Sequence, residues 1–322
     1  MARLTELDDV LFPVEEHPVF AIVMDGASER RLPVRDKKAI VNAKSGAVLG
    51  IVSRGYRLVS NREALEMALQ CCRAVFPETK ASEWEVKATD APGTGGHCNI
   101  DLAHNSTALD FSFVPAANRP EAFGPFIRVT NSYNGLRALG FDIGFYRKIC
   151  TNGVIIPSAI IRFKFVHSRR DIGETILFSI ADDRLARLKA SFGDFLGALR
   201  KCSVPRSNFG ELVCGVLGLR APKQLKSHAP DPEEWVNLVV HIERMTGAYS
   251  GDLGENAYAA FNVITDFASH PPANRCVHRD RHSLQRLAGS WVSRFSQQCC
   301  QPSFDLKSYL EDLAKPQTES AP

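Results

Sequence analysis

The feature that most constrains this chain is a change of periodicity near Gly173. Before it, short β-branched runs are bounded by Gly, Asp, Asn and Ser. After it, apolar residues recur every three to five positions, as in TILFSIADDRLARLKASFGDFLGALRKC, where Ile180, Leu185, Leu188, Phe192, Phe195 and Leu199 fall on a helical spacing. Strands and helices segregated along a chain argue for the α+β class rather than for alternating βαβ units. The expectation is an antiparallel, strand-rich N-terminal half with packed helices, followed by a mostly helical C-terminal half. The boundaries are read as 1–172 and 173–313, with residues 314–322 as a disordered tail. At 322 residues the chain can bury a sizeable core.

Local signals fill in this outline. PVFAIVMDG, RRLPVR, KAIVNA, AVLGIVS and YRLVS read as short strands, with Lys44-Ser45-Gly46 as a hairpin turn. Asn61 is placed as the cap of a helix over REALEMALQCCRAVF, which Pro77 stops. WEVKATD and HCNIDLAH form a further strand pair around the loop APGTGG. That loop lacks the Lys-Ser/Thr ending of a phosphate loop and opens no helix. Asn134-Gly135 is a turn dipeptide between strands. In AIIRFKFVHS, Ile161, Phe163 and Phe165 share one face, while Arg162 and Lys164 share the other with Val166. Helices are expected over NFGELVCGVLGLR, from about Pro232, before Pro271-Pro272, and over HSLQRLAGSWVSRFSQQC.

Charge distribution supplies the functional clue. Residues 111–170 hold nine Lys and Arg against Glu121 and Asp142, a net +7 in a chain whose total is only +3. Cations gathered in a strand-rich stretch, with Tyr133, Phe141, Phe145 and Tyr146 interleaved, suit a single-stranded nucleic acid. Lys and Arg neutralise phosphates, and aromatic faces stack on bases without reading sequence. The candidate phosphate contacts are Arg128, Arg137, Arg147, Lys148, Arg162 and Lys164, and the candidate stacking residues are Tyr133 and Tyr146. A single-strand annealing fold, with its curved antiparallel sheet, basic groove and packed helix, is the fold-level analogy.

Three segments carry a family resemblance: LGIVSRGYRLVSNREALE (49–66), VTNSYNGLRALGFDIGFYRKICTNG (129–153) and AFNVITDFASH (260–270) after GENAY. In order and spacing they resemble the phage/plasmid-like proteins, a bacterial family of unknown function found on mobile elements. The resemblance spans roughly residues 15 to 295. It implies a plasmid or phage setting and no established reaction. Many relatives carry Asn-Ser-His-Asp-Gly where this chain has Asn131-Ser132-Tyr133-Asn134-Gly135. Without the His and the Asp, the obvious general base and metal ligand are missing, and the motif reads as a turn that shapes a surface. The expected role is therefore single-stranded DNA binding, assisting recombination or annealing.

Two alternatives stay open. One is an enzyme whose pocket uses the turn residues Asn131, Ser132, Asn134 and Gly135 together with Cys150 and Asn152. Nearby cations would raise the thiolate fraction of Cys150, and His97, His104 or His167 would have to act as base. The other is a protein-interaction or anti-defence factor whose basic patch meets an acidic partner.

Other constellations are weaker. His270, Cys276, His278 and His282 have no standard zinc spacing, and Arg275, Arg279 and Arg281 disfavour a dication, so no metal and no cofactor is expected there. That segment reads as a second phosphate-contacting loop or an exposed basic loop. Asp182-Asp183 and Glu233-Glu234 sit at helix starts, where carboxylates complement the dipole. Nine cysteines, an odd number with no C-x-x-C, read as reduced thiols. No apolar run approaches the roughly 20 residues needed to span a bilayer. The acidic N-terminus lacks a secretory signal pattern. A cytoplasmic protein is expected, with no membrane partner and with room for a homo-oligomer.

Overall fold

A computed structural model describes residues 3–25, 28–105, 123–147, 161–167, 184–221 and 232–315. They divide into two compact units. The first is drawn from Met1–Asp110, Gly124–Phe145 and Ile161–Leu185, the second from Phe111–Phe123, Tyr146–Ile160 and Ala186–Pro322. The expected boundary at 172/173 and the pair Asp182-Asp183 lie outside the described residues. The fold class is as expected: strands dominate the N-terminal half and helices the C-terminal half.

The first unit holds two sheets. In the larger, β1 (Arg3–Leu4), β5 (Trp84–Pro92), β6 (His97–His104), β7 (Phe123–Ser132), β8 (Leu139–Arg147) and β9 (Ile161–Phe165) lie side by side in that order. β6 and β7 are buried along almost their whole length, as central strands covered on both faces are. The APGTGG stretch is the β5–β6 turn. Its Gly95 sits at φ +70°, and its N–H donates to Pro92 O at 2.7 Å.

In the smaller sheet, β2 (Val14–Asp25) and β4 (Val48–Ser53) flank β3 (Ser28–Asn42), all antiparallel. RRLPVR and KAIVN, read as separate strands, form one continuous β3. YRLVS is not a strand. The Lys44–Gly46 turn joins β3 to β4 as expected, with Gly46 at φ +72°.

Helix α1 (Leu7–Val10) precedes β2, and α2 (Asn61–Val75) follows β4. The cap of α2 is Ser60, whose hydroxyl accepts from the Glu63 N–H at 3.1 Å; Asn61 is instead its first, buried residue. The buried face of α2 runs through Ala64, Met67, Ala68, Cys71 and Val75, with Leu65 and Leu69 at its flanks. Beyond the helix end, the Phe76 ring meets Trp84 and Phe145.

The second unit is helical: α3 (Arg184–Lys201), α4 (Phe209–Leu217), α5 (Pro232–Leu253), α6 (Ala257–Ser269), α7 (Arg281–Gln298) and α8 (Leu306–Ala314). Leu188, Phe192, Phe195 and Leu199 are buried, as the spacing of α3 requires. Helix α6 is the centre: every residue except Asp266 is buried, and α4, α5 and α7 pack around it. Asp266 accepts from the Tyr249 hydroxyl at 3.0 Å and from His270 Nδ1 at 2.9 Å. Helix α8 was not anticipated from the sequence. No helix among the described residues is long and apolar enough to cross a membrane.

Candidate nucleic-acid interface

The turn between β7 and β8 is where the sequence concentrates its motif, and its residues are turned inward. Register pairs Asn131 with Cys98 and Ser132 with His97, so the end of β7 continues into the turn beside β6. The Asn131 side chain is fully buried. Its Nδ2 donates to Val59 O at 2.9 Å and to Asn61 Oδ1 at 2.8 Å. Asn61 in turn donates from Nδ2 to Val10 O at 2.8 Å, and from its backbone N–H to the Tyr133 hydroxyl at 2.8 Å. The Tyr56 hydroxyl donates to Ser132 O at 2.5 Å. Ser132 Oγ donates to Asn134 Oδ1 at 2.9 Å, and that oxygen also accepts from the Leu136 N–H at 3.1 Å. This last bond is an Asx-type closure, and Gly135 completes the turn at φ +73°.

Tyr133 is fully buried in a cluster with Ile40, Leu49, Val52 and Tyr56, flanked by Phe12, Val14 and Leu58. Burial pushes both phenols, Tyr56 and Tyr133, above their ordinary range, and pushes the neighbouring Cys98 thiol up to about 12. The turn therefore ties together α1, β4, the start of α2 and the large sheet. The expected stacking role of Tyr133 is corrected: it has no exposed face. Tyr146, the other expected stacking residue, is also buried, as are Phe141 and Phe145.

His167 lies against this region. Its ring stacks on Tyr56 at 4.5 Å with 16° between planes, and its Nδ1 donates to Arg57 O at 3.0 Å. Its Nε2 has no hydrogen-bond partner among the described residues. Burial lowers its pKa below the ordinary 6.5, because the charged ring would lie in an apolar setting. The unfolded chain then binds the proton more readily than the folded one. Stability is full above the ordinary value, and falls as pH drops through it towards the depressed folded value. His167→Phe keeps the stack. The urea midpoint of this variant should fall less between about pH 7.5 and about pH 5 than that of the wild type.

Two arginines of the large sheet are each paired with an aspartate on the neighbouring strand. Asp101 on β6 faces Arg128 on β7, and Asp142 on β8 faces Arg162 on β9. Arg128 is buried, and its Nε and Nη2 each lie 2.6 Å from an Asp101 oxygen. Burial works against its charge, yet the carboxylates of Asp101, Asp142 and Asp90 more than offset this and hold its pKa above the usual arginine value. Arg128 is therefore not a surface phosphate contact, which corrects its expected role. Arg162 is half-exposed, with Nε 2.5 Å and Nη2 3.2 Å from Asp142, a bond that raises its pKa.

The alternation read for β9 holds: Phe163 is buried, while Arg162, Lys164 and Val166 are exposed. Arg137 is half-buried, and its backbone N–H donates to Ser132 Oγ at 3.4 Å. Lys148, Cys150, Asn152 and the side chain of Arg147 lie outside the described residues. The signal for the Arg128 pairing was present in the sequence: Asp101 stands between Ile100 and Leu102 in an apolar strand, where a carboxylate needs a partner.

What faces outward is a ribbon the sequence did not single out. β4 pairs only with 37–41 of β3, so 20–25 and 28–33 continue beyond it as a two-stranded arm. Six residues per strand extend it by about 20 Å. Every residue in these two segments is exposed. Register places Phe20, Ile22 and Met24 on one face opposite Pro33, Arg31 and Glu29. The three apolar side chains are 50%, 62% and 64% exposed, which is unusual for so many neighbours. On β3, Arg31 pairs with Glu29 and Lys38 with Glu16. Arg30, Arg35 and Lys37 are exposed and pair with no carboxylate among the described residues.

Elsewhere, Cys276 is buried, His278 is exposed and His270 is engaged by Asp266. No group of ligating side chains among the described residues could hold a metal ion. In the helical unit a groove of about 770 Å³ runs beside α4 and α8, past Cys214, Trp235 and Leu310. Burial pushes Cys214 up to about 11, the opposite of what a nucleophilic thiol needs. No family model, curated protein or solved structure matches this chain.

Proposed function

We propose that this chain is a cytoplasmic nucleic-acid-binding protein of a plasmid, phage or other mobile element. It takes single-stranded DNA, and its contact runs along the β2–β3 arm rather than along the buried part of 126–170. The observation that carries this reading is the placement of Arg30, Arg35 and Lys37. All three are exposed on β3 and pair with no carboxylate among the described residues; Arg30 lies on the two-stranded arm, and Arg35 and Lys37 at its base, where Lys37 stands opposite Ser53 of β4. Over an extended backbone Arg30 and Arg35 stand about 17 Å apart along β3, on either side of the register shift opposite Val19. Phe20 adds an exposed ring on the same ribbon for base stacking. Among the stretch first expected to bind, Lys164 adds one exposed cation, while Arg128 and Arg162 already have carboxylate partners.

An enzymatic pocket at the turn is disfavoured, because Asn131, Ser132 and Tyr133 are buried and bond to Asn61, Asn134 and the backbone, with Asn131 Oδ1 left without a partner among the described residues. The test is oligonucleotide binding across a salt series. Each phosphate neutralised on a single strand contributes about −0.7 to the slope of log Kobs against log salt. Charge reversal at Arg30, Arg35 and Lys37 should flatten that slope by about 2. An unchanged slope and affinity would remove the arm from the interface.

A further inference from the structure

Two cysteines far apart in the chain meet in the helical unit: Cys202, the residue after α3, and Cys299, the C-cap of α7. Helix α6 brings them together. Cys202 O accepts from the Ala257 N–H at 2.9 Å, which fixes Cys202 at the start of α6. Gln285, near the start of α7, donates from Nε2 to Ser269 Oγ at the end of α6, at 3.2 Å. The two packed helices therefore run antiparallel, and the end of α7 returns to the start of α6. There the Cys202 and Cys299 side chains lie within hydrogen-bonding reach of each other, and Cys300 reaches Cys299. Their other bonds are long ones to neighbouring carbonyls, from Cys202 Sγ to Ser203 O at 3.9 Å and from Cys299 Sγ to Ser296 O at 3.6 Å.

Both are free thiols; Cys202 is buried, Cys299 half-buried and Cys300 exposed, so solvent reaches the pair from the Cys299 side. Donation from Cys299 holds the Cys202 thiol below its ordinary range, against the opposing effect of burial, and pushes Cys299 itself up. Elsewhere burial prevails, and pushes Cys71 and Cys98 up to about 12 and Cys214 up to about 11. Cys202 is thus the thiolate-forming member, with a second thiol beside it.

We propose that Cys202 and Cys299 are a peroxide-responsive dithiol that closes into a reversible disulfide, joining the end of α3 to the end of α7. The Cys202 thiolate attacks hydrogen peroxide: an S–O bond forms, the O–O bond breaks, and the departing hydroxide takes up a proton to leave as water. Sulfur is oxidised by two electrons and peroxide is reduced. The Cys299 sulfur then attacks the sulfenic sulfur of Cys202. The S–S bond forms, the S–O bond breaks, and the released hydroxide takes the Cys299 proton as a second water. A thiol reductant reopens the bond by exchange, as suits a disulfide in a reducing compartment.

The test treats the full chain with hydrogen peroxide, blocks the remaining thiols and compares wild type, Cys202→Ser and Cys300→Ser on a non-reducing gel. This disulfide closes a loop of roughly 100 residues and restrains the denatured chain, so oxidised wild type should run ahead of the reduced protein. Dithiothreitol should reverse the shift, and Cys202→Ser should lose it. Cys300→Ser should keep it. In wild type and in Cys300→Ser, peptide mapping should find the Cys202 peptide joined to the Cys299 peptide, lighter than their sum by two hydrogens. A wild type without the shift, a shift that persists in Cys202→Ser or is lost in Cys300→Ser, or a Cys299–Cys300 disulfide in place of the joined peptides would each overturn the proposal. The wild-type peptide map decides the matter whether or not a variant folds. Neither thiol lies on the arm, so the outcome is independent of the nucleic-acid reading.

Discussion

Replacing Gly50 by alanine should cost about 3 kcal/mol of stability, at the upper end of the range for overpacked sites. A β-carbon at Gly50 would lie 2.5 Å from Asn134 Cα, 2.7 Å from Tyr133 O and 2.8 Å from Asn134 Cβ. Two of these atoms are backbone, so no rotamer change relieves the clash. Nor can the turn withdraw cheaply. Asn134 is held by Ser132 and Leu136, and Tyr133 is anchored through its hydroxyl to Asn61 and through its own N–H to Gly96 O. Alanine would also restrict the unfolded chain, a gain of only about 0.4–1 kcal/mol that does not offset the clash. A lowered denaturant midpoint with an unchanged slope checks this. Gly55→Ala, where a β-carbon meets nothing within 4 Å, is the matched control.

Arg128→Met should cost about 3–5 kcal/mol, because it strands the Asp101 carboxylate in the interior without its partner. The pair is almost wholly out of water, and both oxygens of Asp101 are taken by the guanidinium. Removing both charges should restore most of the loss: Asp101→Leu with Arg128→Met replaces an ion pair by apolar groups of similar bulk, a change that is often close to neutral. A thermal or urea double-mutant cycle measures this coupling directly. The same proteins separate architecture from contact. If Arg128 only holds β7 to β6, the folded double variant binds oligonucleotide with the wild-type salt slope.

These two sites show which parts of the molecule the sequence reveals. The order of strands before helices, the Asn-Gly turn and the alternation of Arg162, Phe163 and Lys164 are local signals, set by side-chain direction along the backbone. They survive folding intact. The fate of each charge is not local. Arg128 and Arg162 look alike in the sequence, both flanked by apolar residues in strands, yet one lies between covered sheet faces and the other on the edge strand β9. Counting +7 over residues 111–170 could not show that Asp101, outside that window, neutralises Arg128.

The arm posed the reverse problem. VFAIVMD has the composition of a buried strand, and only the point where β4 stops pairing leaves it bare. Asn61 was misassigned for a related reason: Ser60 and Asn61 are both good caps, and the buried partners Val10 and Asn131 draw Asn61 into the helix instead.

The decisive measurement is single-stranded oligonucleotide affinity over a salt series for two folded variants, Arg30→Glu/Arg35→Glu/Lys37→Glu and Arg162→Glu/Lys164→Glu. The arm variant should lose most of its affinity and flatten the salt slope by about 2, while the β9 variant, which removes one unpaired cation and one already bound to Asp142, should change it by less than about 1. Loss of binding in the β9 variant with the arm variant unaffected would contradict the account, and would return the interface to the 126–170 stretch.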